Sequence, residues 1–127
     1  PFPVDLHQAG AERLPLDAGR FDTVVLTFTL CTIPEPSAAL AEVRRVLKPG
    51  GRLLFAEHTR SVQPALASVQ DAFTPLWRRM GGGCHLNRPA LDLVRAGGFT
   101  VGESAPVGRE RWTLFPVYRG YATACQR

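Results

Sequence analysis

The sequence predicts an α/β fold built on a mostly parallel sheet, and three observations carry that expectation. Val24-Val25-Leu26 is a β-branched apolar run of strand type. Leu40, Val43 and Leu47 recur at helical spacing behind Glu35-Pro36-Ser37. Arg52 to Ala56 is a second, almost wholly apolar run, the pattern of a strand covered by helices on both faces. No tight turn can join two parallel strands, so a helical crossover between the runs makes them a parallel pair.

Each joint has a physical reason. The chain enters the first helix through Ile33-Pro34-Glu35-Pro36, where a proline is tolerated because its missing N–H would find no helical partner at that position. The helix is expected to close at Lys48-Pro49-Gly50-Gly51, since Pro49 cannot continue it and Gly50 can take the left-handed conformation that ends it. Further on, Leu66, Val69, Phe73, Leu76 and Met80 fall at helical spacing within Ala65 to Met80, with Pro75 expected to kink or divide that helix and Gly81-Gly82-Gly83 to end it. Asn87 is placed to cap a helix from Pro89 to Ala96 that Gly97-Gly98 stops. Strands are expected at Phe99 to Val101 and Tyr118 to Ala124, and Phe2 to Leu6 reads as the end of an earlier one.

Composition narrows the function classes. The chain has 127 residues, 45% of them apolar and 20% charged, the balance of an ordinary globular domain. Fifteen Lys and Arg against 11 Asp and Glu leave a net charge of +4. The arginines are dispersed and no basic block interleaves with aromatics, so nucleic-acid binding is not expected. No apolar run approaches the roughly 18 residues of a membrane span, and no secretory pattern is present; the expected location is the cytoplasm. Cys31, Cys84 and Cys125 are widely separated, without the paired spacing of a zinc site or a disulfide framework, so reduced thiols and no metal are expected.

Three blocks in order, Gly10-Ala11-Glu12-Arg13-Leu14-Pro15, Phe21-Asp22-Thr23-Val24-Val25 and Glu42-Val43-Arg44-Arg45-Val46-Leu47-Lys48-Pro49-Gly50-Gly51, resemble the second half of a class I S-adenosylmethionine-dependent methyltransferase of the ubiquinone/menaquinone-biosynthesis type. The stretch Gln70 to Arg88, with Thr74-Pro75-Leu76-Trp77-Arg78-Arg79 and Gly82-Gly83-Cys84-His85-Leu86-Asn87-Arg88, resembles a subgroup that includes bacterial small-molecule methyltransferases and animal membrane-associated thiol methyltransferases. The resemblance implies a partial Rossmann-like class I methyltransferase fold whose last strand is antiparallel, lacking the N-terminal strands, with residues 1–127 forming the C-terminal part of a single methyltransferase domain. It also implies S-adenosylmethionine as cofactor and a small, apolar acceptor whose methylated atom stays open. The Gly-rich turn and acidic strand end with which such folds hold a cofactor do not occur in the chain. It therefore reads as a fragment, inactive alone. The alternative readings are a non-catalytic remnant acting as a dimerising or regulatory module, and a peripheral membrane or nucleic-acid binder. An apolar sheet edge left uncovered would favour a homodimer.

Methyl transfer is an in-line displacement, so the protein must align donor and acceptor and, for a protic acceptor, remove a proton. By resemblance, Ala11 and Glu12 lie at the adenine edge of the cofactor; Gly10 stands where the family has an aspartate, leaving the backbone of Ala11 and the carboxylate of Glu12. Thr27 and Phe28, at the carboxyl end of the first strand, would flank the methionine part, with Leu30 and Cys31 behind. Cys31 is expected to be a small buried apolar residue. Glu57 and His58 end the next strand, where an imidazole can accept a proton, and His58 is the first candidate. His85, on the turn after the glycines, is the second. Adjacent residues on an extended chain point opposite ways, which argues against a Cys84–His85 dyad. Phe73, Trp77 and Met80 are placed to roof an apolar pocket, and Arg78-Arg79 beside them to meet anionic lipid.

Overall fold

The helix between the two apolar runs brings them side by side. In the computed structural model, which describes residues 2–108 and 113–125, β1 (Phe21–Thr27) leads through α1 (Pro36–Val46) into β2 (Leu47–His58). The two strands pair in parallel, with Val24 opposite Leu53 and Leu26 opposite Phe55. Then come α2 (Pro64–Met80), α3 (Ala90–Ala96), β3 (Phe99–Pro106) and β4 (Val117–Ala124). The sheet order is β1-β2-β4-β3.

β4 is antiparallel to both its neighbours, so the described sheet is mixed, with one parallel pair and two antiparallel ones. The expected mostly parallel sheet is thus corrected for these residues. The reason is that β4 inserts between β2 and β3 and reverses the ladder on both sides. Phe2 to Leu6 forms no strand and is exposed, because none of the described strands lies alongside to share a hydrogen-bond ladder.

The helix end also differs from expectation. α1 stops at Val46, and Leu47 is already extended and pairs with Phe21. Lys48 to Gly51 form a bulge in the β1–β2 register instead of a helix stop. Gly50 has a positive φ of 72°, and a Cβ on Gly51 would come within 2.9 Å of the Lys48 carbonyl oxygen. Two glycines let the bulge fold back against β1.

The main core is one-sided. Leu26, Leu53, Phe55, Ala122 and Phe99 of the sheet pack against Leu40 and Val43 of α1 and Val94 of α3. On the opposite face Val25 is 61% exposed and Leu54 40% exposed, so helical cover on both faces is not found among the described residues. A second cluster lies at the carboxyl end of the parallel pair, where Cys31, Cys84 and Leu86 are buried against Phe73 and Trp77.

α2 is continuous through Pro75, whose ring lies on the exposed side. Its buried positions are Ala67, Gln70 and Thr74, whereas Val69, Leu76 and Met80 face outward. α3 starts after Pro89 without a side-chain cap; Asn87 instead donates to the Asp71 carboxylate at 2.9 Å.

Candidate active site

Open α/β sheets bind ligands at the carboxyl ends of their parallel strands. Here the ends of β1 and β2 are tied by one side chain. Glu57 is fully buried, and its carboxylate accepts the backbone N–H of Thr29 at 2.8 Å and of Cys31 at 3.3 Å. To present those donors the chain turns sharply at Phe28, a non-glycine residue at φ 50°. An aromatic residue in the left-handed region is strained, and such strain clusters at functional sites. Burial pushes the Glu57 carboxyl above its usual range, and the N–H groups of Thr29, Leu30 and Cys31 pull against that rise.

His58, the next residue, is half-buried. Its Nδ1 lies 3.6 Å from the Cys84 sulfur and 3.9 Å from the Cys31 sulfur. Its ring stacks obliquely on Phe28 with centroids 4.9 Å apart, and Phe115 stands edge-on at 6.3 Å. Burial lowers the imidazole's basicity, which keeps it neutral and leaves a lone pair available near neutral pH. Cys31 is buried as expected, and its thiol is pushed up to about 12, chiefly by burial.

The second histidine candidate has a different setting. His85 bonds the Cys31 carbonyl through its backbone N–H at 2.6 Å, and its Nδ1 lies 3.2 Å from the same oxygen. Burial and the guanidinium groups of Arg88 and Arg78 lower its basicity. Cys84 faces His58, so the thiol–imidazole neighbour comes from β2, not from the adjacent His85.

The other candidates line up around the same edge. Thr27 ends β1 and Phe28 is 49% exposed, while the Leu30 side chain is fully buried in the main core. Ala11 and Glu12 sit half-buried on a turn closed by the Arg13 N–H to the Gly10 carbonyl, and Glu12 accepts the Glu35 N–H at 3.4 Å at the start of α1. Phe73 and Trp77 wall the site, with Trp77 edge-on to Phe115 at 4.8 Å. Met80 does not join them, being 73% exposed.

Two residues that sequence reasoning did not single out hold these loops in place. Arg88 donates from one nitrogen to the carbonyls of Leu30 and Ile33, each at 2.7 Å. Gln70, fully buried on α2, donates to the carbonyls of Thr59 and Leu114 and accepts the Ser61 N–H at 2.7 Å. α2 also carries Ser68, Asp71, Thr74, Arg78 and Arg79, so nothing in the sequence set Gln70 apart, and Arg88 had no signal beyond its place in the Gln70 to Arg88 block. A concavity of about 660 Å³ lies at the amino end of β2 beside Arg44, Lys48 and Cys125, away from this chemistry.

Comparisons with known proteins agree on the class. Residues 1–55 match the methyltransferase domain family. Thiol S-methyltransferase TMT1B of Rattus norvegicus is 47% identical over 89 residues, which is 68% of this chain and 36% of that protein. The ubiquinone/menaquinone biosynthesis C-methyltransferase UbiE of Rhizobium johnstonii is 43% identical over 67 residues, 53% of this chain and 26% of that protein. Among solved structures, a SAM-dependent methyltransferase from Methanosarcina mazei superposes with a TM-score of 0.70 at 18% identity, covering 94% of this chain and 66% of that one. The match over residues 1–55 and these relatives support a class I S-adenosylmethionine-dependent methyltransferase, and the solved structure shares its fold. It spans about a third of the length of the rat relative.

Proposed function

We propose that the protein carrying this chain transfers a methyl group from S-adenosylmethionine to a small apolar acceptor, with a thiol the favoured class. The observation that supports this most directly is the meeting of the two strand ends. The turn Phe28 to Cys31, where the resemblance places the methionine part of the donor, is bonded to the carboxylate of Glu57, one residue from His58. Donor and acceptor sides are thereby held at one fixed spacing, which an in-line displacement needs. Phe28, Phe115 and Trp77 form aromatic walls around His58 suited to an apolar acceptor. The name of the rat relative favours sulfur; that of the bacterial relative would favour a quinone ring carbon.

In this reading residues 1–127 are the C-terminal part of one methyltransferase domain. Ala11 and Glu12 meet the adenine, and Thr27, Phe28 and the backbone of Leu30 meet the methionine portion. His58 takes the acceptor's proton, with His85 as the other candidate. Transfer of labelled methyl from S-adenosylmethionine to an alkyl thiol, compared with a prenylated quinol, tests the assignment. Thiol methylation is the expected result, and turnover of neither acceptor would overturn it. In the same assay His58→Ala lowers kcat about 10²–10⁴-fold and leaves the cofactor dissociation constant nearly unchanged, as expected of a group that acts on the acceptor. An unchanged pH–rate profile in that variant would move the role to His85.

A further inference from the structure

Sequence spacing set the three cysteines apart, yet the fold brings two of them to one imidazole. The Sγ atoms of Cys31 and Cys84 and a ring nitrogen of His58 all lie within 4.8 Å of one another. These residues come from the loop after β1, the end of β2 and the turn after α2. Three separate segments converging two sulfurs and a nitrogen is a coordination arrangement that simple core packing does not require. We propose that Cys31, His58 and Cys84 form a binding site for a zinc-type divalent ion, with a fourth position open to an exogenous thiolate.

The geometry supports it. A tetrahedral ion with Zn–S of about 2.3 Å and Zn–N of about 2.0–2.1 Å places its sulfur and nitrogen ligands about 3.5–3.6 Å apart. The two sulfur–Nδ1 distances are 3.6 and 3.9 Å and the two sulfurs lie within 4.8 Å of each other; a tetrahedral ion sets its sulfurs about 3.8 Å apart, so rotamer adjustments that draw them together by up to about an ångström close the site. The donor set is soft, two thiolates and an imidazole, which selects zinc over magnesium or calcium. Glu57 does not group with the three, and its two oxygens accept the N–H groups of Thr29 and Cys31. Among the described residues no other His, Cys, Asp or Glu joins the three. Three protein ligands and one open position is the pattern of catalytic zinc, whereas structural zinc is closed by four.

Charge balance fits a buried location. Binding the ion forms two metal–sulfur bonds and releases two thiol protons to solvent, while neutral His58 contributes a lone pair and loses no proton. The dication and two thiolates sum to zero, so no net charge is buried. The Thr32 hydroxyl, 3.4 Å from the Cys31 sulfur, is placed to donate to that thiolate.

The catalytic consequence rests on the methyl-transfer reading; the metal site does not. A thiol entering the fourth position loses its proton to solvent and becomes a metal-bound thiolate beside the donor. A sulfur–methyl bond then forms as the methyl–sulfonium bond breaks, and the neutral thioether is a weaker ligand that leaves. With the ion bound His58 is a ligand, and the ion takes over the proton removal assigned to the free imidazole.

Cobalt titration of the reduced protein under anaerobic conditions tests the site. One equivalent should produce thiolate-to-cobalt charge-transfer absorption and the intense visible bands of a tetrahedral ion, both abolished by zinc. Cys31→Ser, Cys84→Ser and His58→Ala should each weaken binding by more than the roughly 10–100-fold that an outer partner costs, and Cys125→Ser should not. X-ray absorption on zinc-loaded wild-type protein, which needs no variant to fold, should show two sulfurs and at least one nitrogen around the ion. The absence of a tetrahedral cobalt spectrum, a sulfur-free shell, or binding lost with Cys125 would overturn the proposal while leaving methyl transfer untouched. Metal binding with no thiol turnover would do the reverse.

Discussion

Glu42 shows how much of the loop before β1 depends on one carboxylate. It accepts the Leu14 N–H at 2.8 Å and pairs with Arg45, whose other donors reach the carbonyls of Leu16 and Leu14. The Arg45 guanidinium and the Leu14 N–H hold its carboxyl down to about 2, from an ordinary 4.5. A carboxyl depressed in the folded state stabilises the fold above its unfolded value, and that stabilisation is lost as pH falls toward the folded one. Thermal melts should therefore show a loss on the order of 1–2 kcal/mol between about pH 4.5 and pH 2, the scale of one charge-assisted hydrogen bond and a partly exposed ion pair. Glu42→Gln should already be lower at neutral pH and nearly flat across that window. A wild-type-like acid profile in the variant would place the effect elsewhere. Such a partnership is not legible in sequence, because Leu14 and Glu42 meet only through the fold. Glu57 is similar: a carboxylate at a strand end can be read directly, but not that it is buried beneath three backbone donors.

At the scale of elements, the strand–helix–strand unit was legible because its signals are local. A branched apolar run and a helical stripe each act within a few residues, and β1 and α1 follow them, whereas the glycine-rich joint became a bulge within β2 and not the helix stop expected. α2 shows where this reasoning stops. Its residues at helical spacing, Leu66, Val69, Phe73, Leu76 and Met80, mark out an apolar stripe, yet the face buried is Ala67, Gln70 and Thr74. The three carbonyl and N–H partners of Gln70 and the close seat of Ala67 fix the helix rotation, and these are tertiary facts that periodicity does not contain. The outward Leu76 and Met80, beside Arg78 and Arg79, suit contact with an anionic lipid surface. No described helix is long and apolar enough to cross a membrane. Co-sedimentation with vesicles containing phosphatidylserine should fall about fivefold for Leu76→Glu, the factor that ~1 kcal/mol of partial leucine burial corresponds to. Equal recovery of the variant and wild type would remove the membrane from consideration.

For the whole molecule, the uncovered sheet face matters most. Val25 pairs with Leu54, and Leu54 with Tyr121, so three exposed apolar residues form one row across β1, β2 and β4. A flat apolar row of this kind favours self-association. Sedimentation of residues 1–127 should show a concentration-dependent dimer, and Leu54→Lys should raise its dissociation constant at least about tenfold, because a charge would then be buried without a partner. A monomer at every concentration would count against pairing through this face. The opposite side of the candidate site is far less yielding. Gln70 ties the strand end at Thr59, the turn at Ser61 and the loop at Leu114 to one amide, and Phe115 and Trp77 are carried on the segments so joined. Parting that aromatic wall means breaking all three bonds together, a local unfolding step and not a side-chain rotation. Amide hydrogens along this junction should exchange as one slow unit, while the ring of Phe28 on the other side of the candidate site stays half-exposed to solvent.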